Sequence, residues 1–414
     1  METIRFIHCA DLHLDRPFET SKLPDIVLAK LKNSAYESFE RTIDYAIEYQ
    51  VDFVVISGDL FDLEYRSIKG QLFVKKQAER LHESRIFLYI IHGNHDPLTD
   101  TVSEITMPEN VVVYSTETKS VLHKKNEKPI ARIYGFSYPA RSVTENKIDS
   151  YIEVKEQDDV FHVAMLHGQE QSQKDHDPYA PFTLKELKES GFDYWALGHI
   201  HKRQVLSEDP YIVYPGNIQG GHRKETGPKG SYLVELKKGD ESLTFLPTSP
   251  IEWHEVDVSI SELSTVDQLL QVCEQKMIQV LSPGKSGLFH LTFSGEGPLH
   301  EQLAKRHAPE ELLEELRGDE AAFYNAFQWV DHLSIQTRPA FNREHAKQQD
   351  DVLGDMLRII DTFEVDMKEG KLTELYNHRT ARRYLSSLSP EEQKEIINEA
   401  ERWLVHRLGN EVEG

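Results

Sequence analysis

Short polar motifs follow five hydrophobic segments in the first half of the chain. The segments cover residues 4–7, 54–56, 87–91, 163–166 and 194–197, and they are apolar and β-prone, as buried strands are. The motifs that follow them are Asp11-Leu12-His13, Gly58-Asp59, Gly93-Asn94-His95-Asp96, His167-Gly168 and Gly198-His199-Ile200-His201. Because open α/β sheets gather functional groups at the carboxyl ends of their strands, we expect all five motifs to meet at one edge of an α/β core.

Seven side chains of these motifs are metal-donor types: two aspartates, one asparagine and four histidines. They are Asp11, His13, Asp59, Asn94, His167, His199 and His201. Such a mixed set suits Mn²⁺, Fe²⁺ or Zn²⁺ better than Ca²⁺, and it lacks the cysteines of a structural zinc site. Seven donors can serve two ions if one donor is shared, and Asp59 is the expected bridge because each carboxylate oxygen can bind one ion. Two close ions favour in-line displacement at phosphorus.

A single motif of this kind is weak support for a metal site, because Asp-x-His and Gly-His-x-His occur often by chance. His8, His92 and His162 show how freely histidine occurs elsewhere, and a core, strand-end or surface position explains each of them. Cys9, two residues before Asp11, is better explained as a small buried residue than as a soft ligand. The ordered set of five motifs, each after a strand, is what predicts the site.

The length of the chain and the positions of its prolines predict three structural regions. At 414 residues the chain exceeds the usual size of one hydrophobic core. We predict an α/β sheet domain at residues 1–250, an α+β capping domain at 251–341 and a helical region at 342–414, with Pro247 and Pro250 at the first boundary. The clearest helix of the sheet domain is predicted at residues 33–50, with Asn33 or Ser34 as its N-cap.

Composition limits the environment and the partners. The net charge of −23 disfavours tight DNA binding by this chain alone, since neutralisation of phosphates supplies much of the affinity, and a partner protein could supply the rest. No apolar run reaches the roughly 20 residues needed to span a bilayer, and the first residues lack the pattern of a secretion signal. With only Cys9 and Cys273, we expect a cytoplasmic protein without a disulfide framework and without membrane contact.

The ordered motifs resemble the signature of the calcineurin-like metallophosphoesterase superfamily, which runs D-x-H, G-D, G-N-H-D or E, a histidine motif and G-H-x-H. The resemblance covers roughly residues 1–220 and implies an α/β fold in which two packed sheets are flanked by helices. It implies that one ion is held by Asp11, His13, Asp59 and His201, and the other by Asp59, Asn94, His167 and His199. It also implies that His95 is the catalytic histidine and that Asp96 orients it.

Within that superfamily the chain is most similar to the SbcD-type DNA repair exonucleases. The similar segments are Gly58-Asp59-Leu60-Phe61-Asp62, residues 197–202 and Tyr214-Pro215-Gly216-Asn217-Ile218. The resemblance implies a metal-dependent exonuclease and endonuclease that acts on DNA, with Mn²⁺ as the expected metal, and a homodimer. It also implies that the C-terminal helices dock on an SbcC-like coiled-coil ATPase. Asn217 replaces the usual serine, and residues 63–70 lack the usual proline-rich character, so strand separation and dimer contacts stay open.

Several basic residues lie in or next to the loops that carry the motifs. The candidates for DNA contact are Arg16, Lys202, Arg203, Arg223 and Lys224. A solvated turn between strands explains these residues equally well.

Two other functions compete with the nuclease. A phosphatase or cyclic-nucleotide phosphodiesterase would use the same metals, and a scaffold protein could keep the fold without activity. The long region after Pro250 favours the nuclease, because a minimal phosphoesterase needs only the sheet domain. The intact donor set, together with His95, argues against the scaffold.

The C-terminal region has apolar helix faces without an obvious core of its own. Their residues are Val352, Met356, Ile359, Ile360, Tyr384, Leu385, Trp403 and Leu404. Such faces either pack back on the capping domain or bind another protein, and we favour the second.

Overall fold

The computed structural model describes residues 3–18, 23–62, 65–98, 105–171, 179–317, 326–340, 343–368 and 389–408. The strands are β1 (Ile4–Cys9), β2 (Phe53–Ser57), β3 (Phe87–Ile91), β4 (Val111–Val113), β5 (Lys119–Lys125), β6 (Lys128–Gly135), β7 (Phe161–His167), β8 (Tyr194–Gly198), β9 (Gln204–Glu208), β10 (Tyr211–Tyr214), β11 (Gly230–Leu236), β12 (Ser242–Pro247), β13 (Ile251–Ser259), β14 (Ser286–Ser294) and β15 (Gln328–Ile335). The helices are α1 (Asp25–Glu48), α2 (Ile68–Glu83), α3 (Ile148–Glu153), α4 (Leu184–Glu189), α5 (Val266–Val280), α6 (His300–Leu303), α7 (Ala308–Arg317), α8 (Arg343–Gln348), α9 (Val352–Lys368) and α10 (Pro390–Leu408). All five segments predicted as strands are confirmed.

Two mixed six-stranded sheets form the first part of the molecule. The first has the strand order β12-β11-β1-β2-β3-β4, and the second has the order β5-β6-β7-β8-β10-β9. In the first sheet β1 to β4 are parallel to one another, and in the second β6, β7, β8 and β10 are. The remaining strands pair antiparallel at the edges. The mixed topology gives both sheets a central parallel region, where the motifs lie.

Alternating residues of each strand enter two different cores, because successive side chains of a strand point to opposite faces. Phe6 and Phe53 of the first sheet meet Val163 and Tyr194 of the second in the core between the sheets. The residues of opposite parity in the first sheet pack against α1 and α2, and those of the second sheet pack beside α3 and α4. The predicted two-sheet sandwich flanked by helices is therefore confirmed.

Helix α1 starts earlier than the sequence predicted. It begins at Asp25 after Pro24, so the predicted start at Asn33 or Ser34 is wrong, and the Ser34 hydroxyl donates to the Leu31 carbonyl inside the helix. The additional turns carry Val27 and Leu31, which are buried against residues of the third sheet. Contact with that distant part of the chain stabilises these turns, which explains why local sequence signals did not reveal them.

A smaller sheet of three parallel strands, β13-β14-β15, follows the sandwich. One face packs on α5, α6 and α7 around Phe289 and Leu291. On the other face Trp253 and Leu288 pack against the start of α1. The third sheet thus rests on the first turns of α1.

The C-terminal helices pack on one another. Helix α9 contacts α8 and α10, with Leu357 and Ile397 buried. Arg343 links the helices, because it donates to Asp361 and to Glu401. Tyr384 and Leu385, which were predicted on the apolar faces, lie outside the described residues. Among the residues that are described, no helix is both long and apolar enough to cross a membrane.

Candidate metal centre

The donor residues meet at the edge where the central strands of both sheets end. Asp11, Asp59 and Asn94 follow β1, β2 and β3 of the first sheet, whereas His167 ends β7 and His199 follows β8 of the second. The backbone connects the loops directly, since Asp11 N donates to the Gly58 carbonyl over 3.1 Å. The sandwich therefore brings residues up to 190 positions apart into one centre, as the motif pattern predicted.

The chain turns sharply at several of the donors. Asp11, His13, Asp59 and His199 have φ angles of 52°, 45°, 50° and 96°. Such left-handed values are uncommon outside glycine and cost of order 1–3 kcal/mol each, so they persist only where the surroundings enforce them. The rigid strands supply that enforcement, and the turns direct the side chains toward one another.

A first donor group contains Asp11, His13 and His201, whose donor atoms lie within 4.8 Å of one another. The Nε2 atoms of His13 and His201 face each other at 3.1 Å. Two imidazole nitrogens at this distance suit ligands of one shared cation. His13 Nε2 also lies 3.7 Å from Asp59 Oδ2, so this aspartate is next to the group.

The second donor group lies on the other side of Asp59. His167 Nε2 is 3.4 Å from Asp59 Oδ2 and 2.9 Å from Asn94 Oδ1, and His199 Nδ1 is 3.2 Å from the same amide oxygen. Asp59 Oδ2 thus lies within 4 Å of an imidazole of each group. This is the position that a bridging ligand needs.

Glycine is required at two motif positions because the donors crowd the backbone. A Cβ atom on Gly93 would lie 2.3 Å from Asp59 Oδ1 and 2.7 Å from His167 Nε2. A Cβ atom on Gly58 would lie 2.3 Å from His167 Nδ1, and the φ angle of 95° there is unfavourable for other residues. Only hydrogen at these Cα atoms lets the donors approach one another.

Buried charges in the centre shift their own pKa values. Burial raises the pKa of Asp11 to about 6, although His201 and His167 oppose this. Burial also disfavours the Asp59 carboxylate, but His167, together with His13 and His95, outweighs burial and holds the Asp59 pKa below its ordinary range. The pKa of His167 rises to about 9, because Asp59 outweighs burial. The centre thus stabilises positive charge beside Asp59.

The donor set fits divalent cations. Two carboxylates, an amide oxygen and four imidazoles converge, and the Ser57 carbonyl lies 2.9 Å from His167 Nδ1, which fixes the proton there and leaves Nε2 free to act as a ligand. The residues that would hold ions are those predicted from the motifs: Asp11, His13, Asp59, Asn94, His167, His199 and His201.

His95 lies beside the centre with a different carboxylate from the one expected. Its backbone N–H donates to Asp59 Oδ1, and its Nδ1 atom is 3.3 Å from Asp62 Oδ2. The Asp96 carboxylate instead accepts hydrogen bonds from the backbone N–H groups of Leu60, Phe61 and Gly93 and contacts the His92 ring. Asp96 therefore joins two motif loops, and the expectation that it orients His95 is corrected, because the carboxylate at the His95 ring is that of Asp62.

Sequence reasoning also missed Glu225. Its Oε1 atom lies 2.5 Å from His201 Nδ1, and burial of this carboxylate is offset by His201, which holds the Glu225 pKa well below its ordinary value. No local motif marks this residue. The acidic position in a glycine-rich loop after the Gly198-His199-Ile200-His201 motif was the only available signal.

A cavity of about 500 Å³ opens beside His95 and Asn94. Its lining includes Arg16 and Arg141, together with the aromatic rings of Phe18, Tyr65 and Tyr179. Arg16, a predicted DNA-contact residue, therefore faces the space next to the centre.

The described residues that line this cavity do not include the other predicted contact residues. Lys202, Arg203, Arg223 and Lys224 are all exposed. The Arg203 guanidinium is stacked over the Phe245 ring, 3.6 Å from its centroid. Arg203 thus already has a partner on β12.

Comparison with known proteins agrees with this geometry. The profile of the calcineurin-like phosphoesterase family matches residues 4–203, and that of the middle domain of metallophosphoesterase YhaO matches residues 253–338. The chain is 41% identical to the uncharacterized metallophosphoesterase YhaO of Bacillus subtilis (strain 168) over 411 residues, 98% of each chain. It is 27% identical to the DNA double-strand break repair protein Mre11 of Methanocaldococcus jannaschii over 65% of this chain and 73% of that protein. It is 25% identical to the protein of the same name from Saccharolobus solfataricus over 80% of this chain and 85% of that protein. The chain therefore belongs to the calcineurin-like phosphoesterase family and is a metallophosphoesterase, a hydrolase of phosphoesters.

Proposed function

We propose that this protein is a DNA nuclease that hydrolyses phosphodiester bonds with two divalent ions, Mn²⁺ being the preferred metal, and that it acts in DNA repair. The observation that carries the proposal is the position of Asp59 between two donor groups, next to a cavity with two arginines. The similarity to two Mre11 proteins, named for DNA double-strand break repair, supports the choice of DNA.

The side chains have distinct roles in this reaction. When bound, the two ions supply Lewis-acid activation of the phosphoryl group and of the attacking water. His95 Nδ1 faces Asp62, so Nε2 is the nitrogen that donates a proton to the leaving oxygen. Arg16 and Arg141 line the cavity beside His95, where a guanidinium group can bind the phosphates that flank the scissile bond.

The donors support Mn²⁺ over Mg²⁺ in this proposal. Four of the seven donors are imidazoles, which suit Mn²⁺, Fe²⁺ or Zn²⁺, whereas Mg²⁺ prefers oxygen donors and retains its water. Both cysteines are buried and free, as in proteins of a reducing compartment, which supports a cytoplasmic site of action.

The protein works with a partner in this proposal. A net charge of −23 opposes tight DNA binding by the chain itself. The C-terminal helices leave Val352, Ile359 and Trp403 between 60% and 65% exposed, and such apolar residues on neighbouring helices suit a protein interface. We therefore propose that these helices dock on an SbcC-like coiled-coil ATPase, which supplies the additional DNA contacts.

The alternative is a phosphatase or cyclic-nucleotide phosphodiesterase that uses the same centre. One experiment separates the two functions: purified protein with Mn²⁺ is incubated with end-labelled linear duplex DNA, bis(p-nitrophenyl) phosphate, p-nitrophenyl phosphate and cyclic AMP. We expect cleavage of DNA and of the diester, and Asp59→Ala should remove both. Turnover confined to the monoester or to cyclic AMP would refute the nuclease.

A further inference from the structure

One imidazole of each donor group is held at Nδ1, and the two are held in different ways. His167 Nδ1 faces the neutral backbone carbonyl of Ser57, whereas His201 Nδ1 faces the carboxylate of Glu225 at 2.5 Å. In both cases Nδ1 is engaged and Nε2 remains for a cation. A carboxylate behind a ligating imidazole fixes the ring orientation and makes the ring a stronger donor than a carbonyl does.

Glu225 is itself held in place from several directions. It is 8% exposed, and its second oxygen, Oε2, accepts from the Gly221 N–H at 2.6 Å and from Asn217 Nδ2 at 2.9 Å. The turn closes when Glu225 N donates to the His222 carbonyl. Because Oε2 is occupied by these donors, Oε1 is directed at His201.

The turn that carries Glu225 is attached to the first strand of the third sheet. Trp253 Nε1 donates to the Gly220 carbonyl at 3.1 Å, Gln219 Nε2 donates to the Ile251 carbonyl at 2.9 Å, and Gly227 N donates to the Trp253 carbonyl at 2.8 Å. A Cβ atom on Gly220 would lie 2.7 Å from the Glu225 carbonyl, so the turn is closely packed. Strand β13 thus supports the turn on both sides of Glu225.

We propose that Glu225 is a positioning residue for His201, that it acts selectively on the cation held by Asp11, His13, Asp59 and His201, and that the third sheet supports it through Trp253. This inference rests on the metal centre of the proposed function. It assigns to the third sheet a role in metal binding, which is separate from any contact with DNA.

The test is a metal titration that does not depend on catalysis. Mn²⁺ binding to full-length protein is followed by isothermal titration calorimetry, and electron paramagnetic resonance reports whether the bound ions are coupled. We expect two sites in the unaltered protein. Glu225→Gln keeps the shape of the side chain but removes the charge, and we expect it to weaken one site about 10- to 100-fold while the other is unchanged. At one equivalent the variant should give the spectrum of an isolated ion.

Two further variants test which contacts of Glu225 cause the weaker Mn²⁺ binding. Trp253→Phe removes the donor to Gly220 and should weaken the same site about two- to tenfold, the value of one hydrogen bond, with a non-additive effect in combination with Glu225→Gln. Glu225→Asp retains the carboxylate and should recover part of the affinity. Glu241→Gln, an exposed acid in the turn between β11 and β12, is the matched control and should change neither site.

Several results of the Mn²⁺ titrations would contradict the role of Glu225. Equal weakening of both sites, or weakening that matches a fall in the melting temperature of the chelated protein, would show a general structural role and overturn the proposal. Unchanged binding in Glu225→Gln would overturn it while leaving the nuclease proposal intact. If the unaltered protein bound no Mn²⁺, both proposals would fail.

Discussion

His95 Nδ1 lies 3.3 Å from Asp62 Oδ2, although Asp96 is the neighbour of His95 in the chain. The Asp62 side chain is largely buried, and the His95 ring is 38% exposed at the cavity. Because Nδ1 is next to Asp62, the Nε2 atom of His95 is at the exposed side of the imidazole ring. A carboxylate behind an imidazole fixes its tautomer, which is the geometry of a histidine that transfers protons.

Two aspartates near His95 should therefore give different defects. Asp62→Asn removes the charge behind His95, and we expect turnover to fall roughly 10- to 100-fold without a change in stability. Asp96→Asn leaves buried backbone donors unsatisfied, and we expect the free energy of unfolding to fall by about 2–4 kcal/mol. Steady-state rates and melting temperatures, measured on both variants, distinguish these effects. Equal loss of stability in the two variants would contradict the assignment.

Substitutions of His95 and Asp59 should distinguish metal binding from catalysis. His95→Ala should keep both ions and lose a factor of roughly 10² to 10⁴ in turnover, because a general acid is removed. Asp59→Ala should lose metal as well, since this carboxylate lies between the two donor groups. Elemental analysis of the purified variants gives the metal content. A metal-free His95→Ala protein would show that the histidine is a ligand instead.

Chelation should abolish hydrolysis of a chromogenic phosphodiester. Activity should return with Mn²⁺ and only weakly with Mg²⁺, because the imidazole-rich donor set suits Mn²⁺ better. The measurement is the rate after exhaustive treatment with a chelator and stepwise addition of each ion. Full activity in protein shown to be free of metal would rule out the two-metal mechanism.

Acid should destabilise the sandwich core through His8. Burial lowers the pKa of His8 to about 3, and its ring nitrogens contact the Tyr194 hydroxyl and the Leu197 carbonyl. The unfolded chain, with an ordinary pKa near 6.5, takes up a proton first, so the stability from neutral His8 is complete above pH 6.5 and is lost as the pH falls toward 3. This loss amounts to about 2–5 kcal/mol.

The pH dependence of the melting temperature tests this prediction in chelated protein. His8→Gln should flatten the decline between pH 6.5 and 4, apart from any constant loss of stability. His82→Gln, an exposed histidine at the end of α2, is the control and should leave the slope unchanged. An identical slope in His8→Gln and the unaltered protein would exclude His8 as the cause.

The C-terminal helices should be needed for the partner and not for hydrolysis. Protein that ends at residue 340 should still cleave the small diester but fail to bind a purified SbcC-like ATPase. Full-length protein with Val352→Ser, Ile359→Ser and Trp403→Ser should lose the same binding, because these side chains are exposed and apolar. Analytical size exclusion with both proteins measures the complex. If the triple variant still bound, the docking surface would lie elsewhere.

The C-terminal region shows how far local signals reach. At the start of α10, Ser389 precedes Pro390, and its hydroxyl accepts a hydrogen bond from Glu392 N, as an N-cap serine does. The capping box at Thr265 likewise marks the start of α5. The hydrogen bonds of a helix cap join residues at most four positions apart, so a cap can be recognised from the sequence. The contact of α9 with α10, which covers Leu357 and Ile397, depends on how the helices turn back and was not foreseen.

The sequence by itself determined the five strands and the positions of the donor residues after them, because the apolar segments are local and each motif lies at the end of its strand, whereas the two-sheet sandwich was implied by the resemblance to the metallophosphoesterase superfamily. Only the tertiary structure decided which carboxylates stand behind the imidazoles of His95 and His201. Asp62 rather than Asp96 faces His95, and Glu225 reaches His201 from a turn 24 residues away. These pairings depend on loop turns and on support from the third sheet, and such long-range contacts leave no periodic pattern in the chain.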